Sequence, residues 1–336
     1  KRKLQQEKAY QERLTVLAKK INTFALNTNF TFLQNPDKEL LSIGYNVTTG
    51  KLDVSCYDLL ASEARLASFI AIAKGDLPPK HWSLLGRRLT LLRGKSMLFS
   101  WSGSMFEYLM PSLIMKEPEG SLLFHTHQRV IQEQQNYAKK NMLPWGISEA
   151  AFNKRDAEQN YQYSSFGAPK LALDKEALPS KVVAPYASFL ALQFCSLKKV
   201  TANLRNLETL GALGTYGYFD AVDFTTEHLL PQQKHAVIRN YYAHHQAMSL
   251  LALYNVFFSN QLQEDFHRCP LVQAHAILLH EKNLHSILRP LKQKYLFSCY
   301  QEPLPRPSTR INIAIPLHAL SGALSYQKWK FYLRRN

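Results

Sequence analysis

The segment Tyr57-Asp58-Leu59-Leu60-Ala61-Ser62-Glu63-Ala64-Arg65-Leu66-Ala67-Ser68-Phe69-Ile70-Ala71-Ile72-Ala73-Lys74 sets the class of fold. Its apolar positions Leu59, Leu60, Leu66, Ala67, Phe69, Ile70 and Ile72 recur at helical spacing, and Gly75-Asp76 with Pro78-Pro79 closes it. Glu63 stands four residues from Leu59 and four from Ala67, so the pattern turns a carboxylate towards the buried face. Burying a charge is costly, and such a residue is paired, protonated or catalytic; an ion pair with Arg65 or another arginine is the structural alternative.

Outward from this helix the same periodicity recurs at residues 5–25, where Leu14, Leu17, Ala18, Ile21, Phe24 and Ala25 share a face. It also marks 101–115, 121–139, 182–195, 200–211, 235–258 and 270–283, while only 51–54 and 89–98 look extended. The expectation is an all-α fold built from helix pairs. The long irregular stretches 44–57, 144–173 and 214–231 are rich in Gly, Asn, Asp, Tyr and Phe and are candidate walls of a site. Beyond Leu284 the prolines at 290, 303, 305 and 307 and the alternating Ile311, Ile313, Ile315 and Leu317 change the text, giving one unit at 1–284 and a linker with a truncated β-rich start at 285–336.

The 336 residues are 46% hydrophobic and 20% charged, which excludes disorder and small disulfide-stapled scaffolds. Lys and Arg number 41 against 25 Asp and Glu, and the resulting +16 favours anionic surroundings. The basic pairs Lys19-Lys20, Arg87-Arg88, Lys139-Lys140 and Lys198-Lys199 fall at helix ends or in loops as solvated faces, so no nucleic-acid partner is expected. Cys56, Cys195, Cys269 and Cys299 are far apart, without metal or redox spacing, and suit a reducing compartment. The longest apolar run, 249–258, is too short to cross a bilayer and the opening residues carry no signal core; the chain reads as soluble. A start on a charged helical pattern without methionine suggests an excerpt of something longer. Phosphate-loop, dinucleotide and nucleophile-elbow motifs are missing, and no cofactor is expected.

Two further acids stand out. Glu107 lies among aromatic, small and apolar residues in Phe99-Ser100-Trp101-Ser102-Gly103-Ser104-Met105-Phe106-Glu107-Tyr108-Leu109-Met110-Pro111. Glu149 ends Pro144-Trp145-Gly146-Ile147-Ser148-Glu149, ahead of Asn153, Arg155 and Asp156, where a capped helix with an exposed first-turn glutamate is equally open. Trp101, Trp145, Tyr161, Tyr163, Phe166, Tyr186, Tyr216, Tyr218 and Phe219 surround these acids in sequence. Aromatic faces stack on pyranose rings and carboxylates bind hydroxyls, a mixture suited to a neutral polyhydroxylated polymer, although about half of such aromatics belong to a core. His244 and His245 are adjacent on a helix and point about 100° apart, so they do not form the metal pair of an HExxH helix; a His-Gln wall to a cavity and a core histidine both remain open.

The strings Gly44-Tyr45-Asn46, Tyr57 to Arg65, Ser100 to Pro111, Pro144 to Glu149, Tyr161-Gln162-Tyr163, Phe166-Gly167, Val183-Ala184-Pro185-Tyr186, Leu210 to Gly214, Tyr216 to Phe224 and Ala243 to Leu250 together resemble one family in unbroken order over about 40–283. It is the glycoamylase-like cyclisation domain of cyclic β-1,2-glucan synthases. Two departures stand out: the pattern is hard to follow after Lys282, and Ala247 occupies the glycine position of the family's His-His-Gln-Gly-Met string.

The resemblance implies an (α/α)6 toroid whose loops form a glycan cleft at one end, related in fold to β-1,2-glucanases. It implies a domain of a larger bacterial inner-membrane protein, facing the cytoplasm. There a membrane-embedded glycosyltransferase grows linear β-1,2-glucan and a phosphorylase-like region adjusts its length. This domain would close the ring by transglycosylation. Ring closure retains the anomer, and retention ordinarily uses two carboxylates about 5 to 5.5 Å apart. By likeness Glu63 is the acid/base and Glu149 the nucleophile, positioned by Arg155 or Trp145; the roles are exchangeable, with Glu107 in reserve. Tyr57, Asp58, Arg65, Trp101, Trp145, Arg155, Tyr161, Tyr163, Phe166, Tyr186, Tyr216, Asp220, Asp223, His244, His245 and Gln246 would bind substrate. The competing readings are an inverting hydrolase of the same glucan, with carboxylates about 6.5 to 9.5 Å apart, and a non-catalytic glucan-binding module.

Overall fold

The computed structural model describes residues 2–92, 94–174 and 181–282; the expected boundary at 284 and the tail lie outside the described residues. Helix α1 (Arg2–Asn27) extends the expected first helix at both ends, and its stripe of Tyr10, Leu14, Leu17, Ile21 and Phe24 faces solvent. The short hairpin β1 (Tyr45–Asn46) and β2 (Lys51–Leu52) leads to α2 (Arg65–Lys74). Gly75 ends α2 in the left-handed conformation at φ 82°, where its N–H and that of Asp76 reach back to the last turn, a stop that glycine permits without steric cost.

Helix α2 is shorter than the periodicity predicts. Residues 57–64 are extended and turned instead, because Leu59 bridges Gly86 and Leu60 donates to the Gly86 carbonyl. Leu59, Leu60 and Ala61 are buried by that pairing, so their apolar spacing reports burial rather than helix. Glu63 therefore sits in the turn that launches α2, not on its face.

Next come α3 (Lys80–Leu84), the hairpin β3 (Leu89–Leu92) and β4 (Lys95–Leu98), and α4 (Met105–Leu109). Ser104 caps α4, and Pro111, which has no N–H to donate, falls in the tight 3-10 turn Met110–Leu113 that replaces the rest of the expected 101–115 helix. Helix α5 (Leu122–Asn141), capped by Ser121, buries Leu123, Val130, Ile131 and Ala138. The segment 144–149 then enters a third hairpin, β5 (Ala150–Arg155) and β6 (Tyr161–Ser164), in which Ala151 pairs with Tyr163. After β7 (Val182–Val183) follow α6 (Pro185–Leu190), α7 (Leu197–Thr209) and the small hairpin β8 (Leu213–Gly214) and β9 (Gly217–Tyr218). Strands β10 (Ala221–Asp223) and β11 (Ala236–Ile238) join β7 in an antiparallel sheet of order β11-β10-β7.

Helices α8 (Ala243–Phe257), α9 (Gln261–Arg268) and α10 (Pro270–His275) complete the described chain. The expected helix over 235–258 thus begins as a buried strand, since Ala236, Val237 and Ile238 pair with β10 before the chain turns into α8. The fold is helix-rich but not purely helical, and the expected helices over 182–195 and 235–258 both begin as short strands, β7 and β11, whose apolar density matches that of a helix. One contiguous core runs from Leu40 to Leu279, with Phe69, Met97, Met105, Tyr108, Ile147, Val183 and Leu207 inside it. None of the described helices is long and apolar enough to cross a membrane.

Candidate active site

Helices α4 to α7 hold residues 144–149 in place. Gln134 of α5 clamps Ile147 with both amide atoms, donating to its carbonyl at 2.9 Å and accepting from its N–H at 2.9 Å. Asn203 of α7 does the same to Trp145, at 2.8 and 3.0 Å. Ser148 accepts from the Phe106 N–H at 3.0 Å and shares a 2.8 Å hydrogen bond with the Tyr186 hydroxyl, which lies 3.0 Å from the Glu149 carbonyl. Neither Gln134 nor Asn203 is legible as functional in the sequence, because an amide within a helix is ordinarily solvated.

On this base stands a chain of buried polar side chains. The Tyr163 hydroxyl, on β6, donates to Glu149 Oε1 at 2.8 Å. It lies 3.1 Å from His245 Nε2 and 3.4 Å from His244 Nε2, both at the start of α8. His245 Nδ1 meets Asp220 Oδ1 at 2.6 Å, and the other Asp220 oxygen accepts from the Ala151 N–H at 2.7 Å. The Tyr186 ring lies flat on His245, with centroids 3.9 Å apart and 14° between planes. Burial pushes Glu149 well above the usual carboxylate range, and Glu63, Glu107 and Asp220 push it further, against the Tyr163 hydrogen bond. Burial and His245 lower His244 to about 3.

Glu63 enters from the turn before α2, partly open to solvent, and its carboxylate accepts from Ser62 Oγ at 3.1 Å. Burial, then Glu107, raises it to about 7. Burial, then the charges of Glu63 and Glu149, hold the Tyr57 phenol up. Asp58 accepts from Trp101 Nε1 at 2.7 Å, leaving the half-exposed indole face free to stack on a sugar. On the far side of His245 a cavity of about 220 Å³ is lined by Phe189, Tyr218, Phe219 and Gln246.

Glu149, His244 and His245 bring three ligand-type atoms within 4.8 Å of one another. The Tyr163 hydroxyl lies within 3.4 Å of all three and fills the junction where an ion would sit, so hydrogen bonding accounts for the cluster.

Residues 55–270 match the family model described as "Putative glucoamylase". The chain belongs to the glycoamylase family. Over 305 residues the glycoamylase chain is 49% identical to the cyclic β-(1,2)-glucan synthase NdvB of Rhizobium meliloti, covering 90% of this chain and 11% of that protein. It therefore spans only about a ninth of this relative's length. Its fold is shared with an endo-β-1,2-glucanase from Chitinophaga pinensis, solved with sophorotriose and glucose, at TM-score 0.56 and 17% identity over 79% of this chain and 65% of the other. A β-1,2-glucanase from Parabacteroides distasonis superposes at TM-score 0.54 and 15% identity over 78% and 40%.

Several of the expected ligand residues are occupied elsewhere. Arg65 is buried, bonded to Glu117 at 2.8 Å and to the carbonyls of Ser62 and Tyr108, because its guanidinium satisfies α4's end and not the cleft. Arg155, expected to position Glu149, stacks 4.0 Å over Tyr161 at the outer end of the hairpin and donates to the Gln159 carbonyl. Trp145 is buried and contributes its clamped backbone; the partner of the Glu149 carboxylate is Tyr163. Asp223 holds the Asn153 and Thr225 N–H groups and His228, while Phe166 packs edge-on against Phe152 in the core. Tyr216 is exposed against Tyr241.

Glu107 closes the capping box of α4 and accepts from the N–H groups of Ser102 and Ser104 and the hydroxyls of Ser100, Ser102 and Ser104. The loop that supplies these donors is pinned where Gly167 crosses Ser102 so closely that a Cβ there would stand 1.9 Å from the Ser102 carbonyl oxygen. The three hydroxyls and the Ser104 N–H converge on Oε2, while Oε1 takes the Ser102 N–H, so this carboxylate is tied into the cap of α4.

Proposed function

We propose that this chain closes linear β-1,2-glucan into rings by anomer-retaining transglycosylation, as one part of a longer synthase. The observation that carries the reading is the contrast between two acids near one another: Glu63, partly exposed and raised to about 7, and Glu149, deep and held by the Tyr163 hydroxyl. Glu63 suits the acid/base role, since a carboxyl near 7 both gives and takes a proton at neutral pH. Glu149 suits the nucleophile. Its carboxylate attacks C1 of the scissile sugar while Glu63 protonates the departing O2, giving a glycosyl-enzyme ester. The chain's own terminal 2-hydroxyl then attacks C1, Glu63 takes its proton, and Glu149 leaves as carboxylate. Identity to a cyclic glucan synthase favours the sugar hydroxyl over water as acceptor.

The same reading makes the helices part of an (α/α)6 toroid, puts Tyr57 and Trp101 on the glucan, and assigns the domain to the cytoplasmic face of a membrane-anchored parent with transferase and phosphorylase-like regions as covalent partners. Incubation with linear β-1,2-glucan followed by mass spectrometry tests it. Products one water lighter than linear chains of equal length, absent with Glu63→Gln and Glu149→Gln, are expected. The fold shared with an endo-β-1,2-glucanase motivates the rival outcome, short reducing oligosaccharides, which would make the chain a hydrolase. No product from a folded wild-type chain that still binds the glucan would make it a binding module.

A further inference from the structure

The proton inventory of the buried chain behind Glu149 leads beyond this assignment, though it rests on Glu149 being the nucleophile. Tyr163 owns one hydroxyl proton and faces two acceptors, Glu149 Oε1 at 2.8 Å and His245 Nε2 at 3.1 Å. When that proton points to an ionised Glu149, the Tyr163 oxygen takes its donor from the nearer imidazole, His245 Nε2 at 3.1 Å against His244 Nε2 at 3.4 Å, and the other His245 nitrogen already meets Asp220 Oδ1 at 2.6 Å. With that donor in place the His245 imidazole is doubly protonated. When Glu149 is neutral, its own proton points to Tyr163, Tyr163 donates to Nε2, and the imidazole is neutral. Both arrangements have one net negative charge and satisfy every hydrogen bond.

We propose that Asp220, His245 and Tyr163 form a positioning chain that shares a single proton with Glu149, parking it on His245 whenever Glu149 acts as a carboxylate. The transfer balances: the Glu149 O–H breaks as a new Tyr163 O–H forms, and the original Tyr163 O–H breaks as Nε2–H forms. No solvent proton is needed. This gives a second home to a proton that burial would otherwise fix on Glu149. The fixed parts of the chain support the role. Asp220 is anchored by the Ala151 N–H from the strand that Glu149 opens, and Tyr186 stacked on His245 also holds the Glu149 carbonyl. The titratable groups facing the chain are Tyr186 from α6, Tyr242 and His244 from the start of α8, Tyr57 and Glu63 from the segment before α2, and Glu107 from α4. His244, lowered to about 3, stays neutral.

The test is the pH dependence of glucan transfer by the whole chain carrying Tyr163→Phe or Asp220→Asn, with nitrogen NMR of the His245 ring. Tyr163→Phe strands the proton on Glu149, so kcat falls about ten- to a hundredfold with KM little changed, and the acidic limb of the profile moves up by about one pH unit. In Asp220→Asn the His245 ring is neutral at a pH where the wild-type ring is doubly protonated. Because Asp220 also satisfies a backbone N–H, that variant can fail to fold, and Tyr163→Phe then decides alone. An acidic limb unmoved in folded Tyr163→Phe overturns the chain. Retained activity in Glu149→Gln overturns the functional reading itself, whereas an inactive Glu149→Gln beside an unmoved limb removes only the proton sharing.

Discussion

Two buried glutamates, 42 positions apart in sequence, occupy opposite kinds of niche. Around Glu107 the loop Ser100-Trp101-Ser102-Gly103-Ser104 turns two N–H groups and three hydroxyls onto one carboxylate, all within a few residues of it. The Glu149 carboxylate receives the single Tyr163 hydroxyl, from the facing strand of the hairpin that follows it. The Glu107 carboxylate is held by five contacts that moving its charge would break, as a structural cap requires. The Glu149 carboxylate has one donor and is pushed up by burial and by Glu63, which is the environment the proposed nucleophile calls for.

The sharpest way to break this contrast is to neutralise each acid. Glu149→Gln and Glu63→Gln should each lower glucan transfer by about 10³-fold or more while leaving the melting transition in place, measured by product formation and calorimetry. Glu107→Ala should do the reverse. It should cost about 2 to 3 kcal/mol in denaturant titrations, with the folded fraction still active, since a cap and its serine donors are orphaned. Arg65→Met probes the same structural side more severely, leaving Glu117 buried without its partner at about 3 to 5 kcal/mol, with no specific change in KM.

pH separates the niches further. Glu63 is raised from 4.5 to about 7, so the native state binds its proton more tightly than the unfolded chain does. Its contribution to stability is complete below about 4.5 and is lost as pH rises through about 7, and Glu63→Gln should flatten that stretch of the stability curve. The rate should fall over the same upper limb as the acid loses its proton. The smallest effect belongs to Arg155→Ala, which removes an outer stacking contact and should shift stability within about 0.5 kcal/mol without altering the rate.

Much of this was legible before any coordinates, and unevenly so. Glu149, Tyr163, Asp220, His244 and His245, all named from the sequence, come together, the charge of Glu63 reaches Glu149, and Asp58 meets Trp101. What periodicity misreads is the backbone carrying them. Residues 57–64 and 236–238 have helical apolar density, yet the first pairs with Gly86 and the second with β10, because long-range pairing overrides local spacing. Residue type alone does not say which way a long side chain turns: Arg65 and Arg155, both natural ligands for hydroxyls, spend their donors on Glu117 and on the hairpin end. Gln134 and Asn203, which fix the Glu149 segment, carry no local signal, since their partners lie 13 and 58 residues away.

Azide rescue tests the two-carboxylate account most directly. With an aryl-activated β-1,2-glucan, Glu149→Ala should yield the α-glycosyl azide, because azide replaces the missing nucleophile in one inverting step. Glu63→Ala should yield the β-glycosyl azide, because azide opens a glycosyl-enzyme formed on Glu149. A β-azide from Glu149→Ala would exchange the two roles, and a β-azide from neither variant would contradict the retaining mechanism.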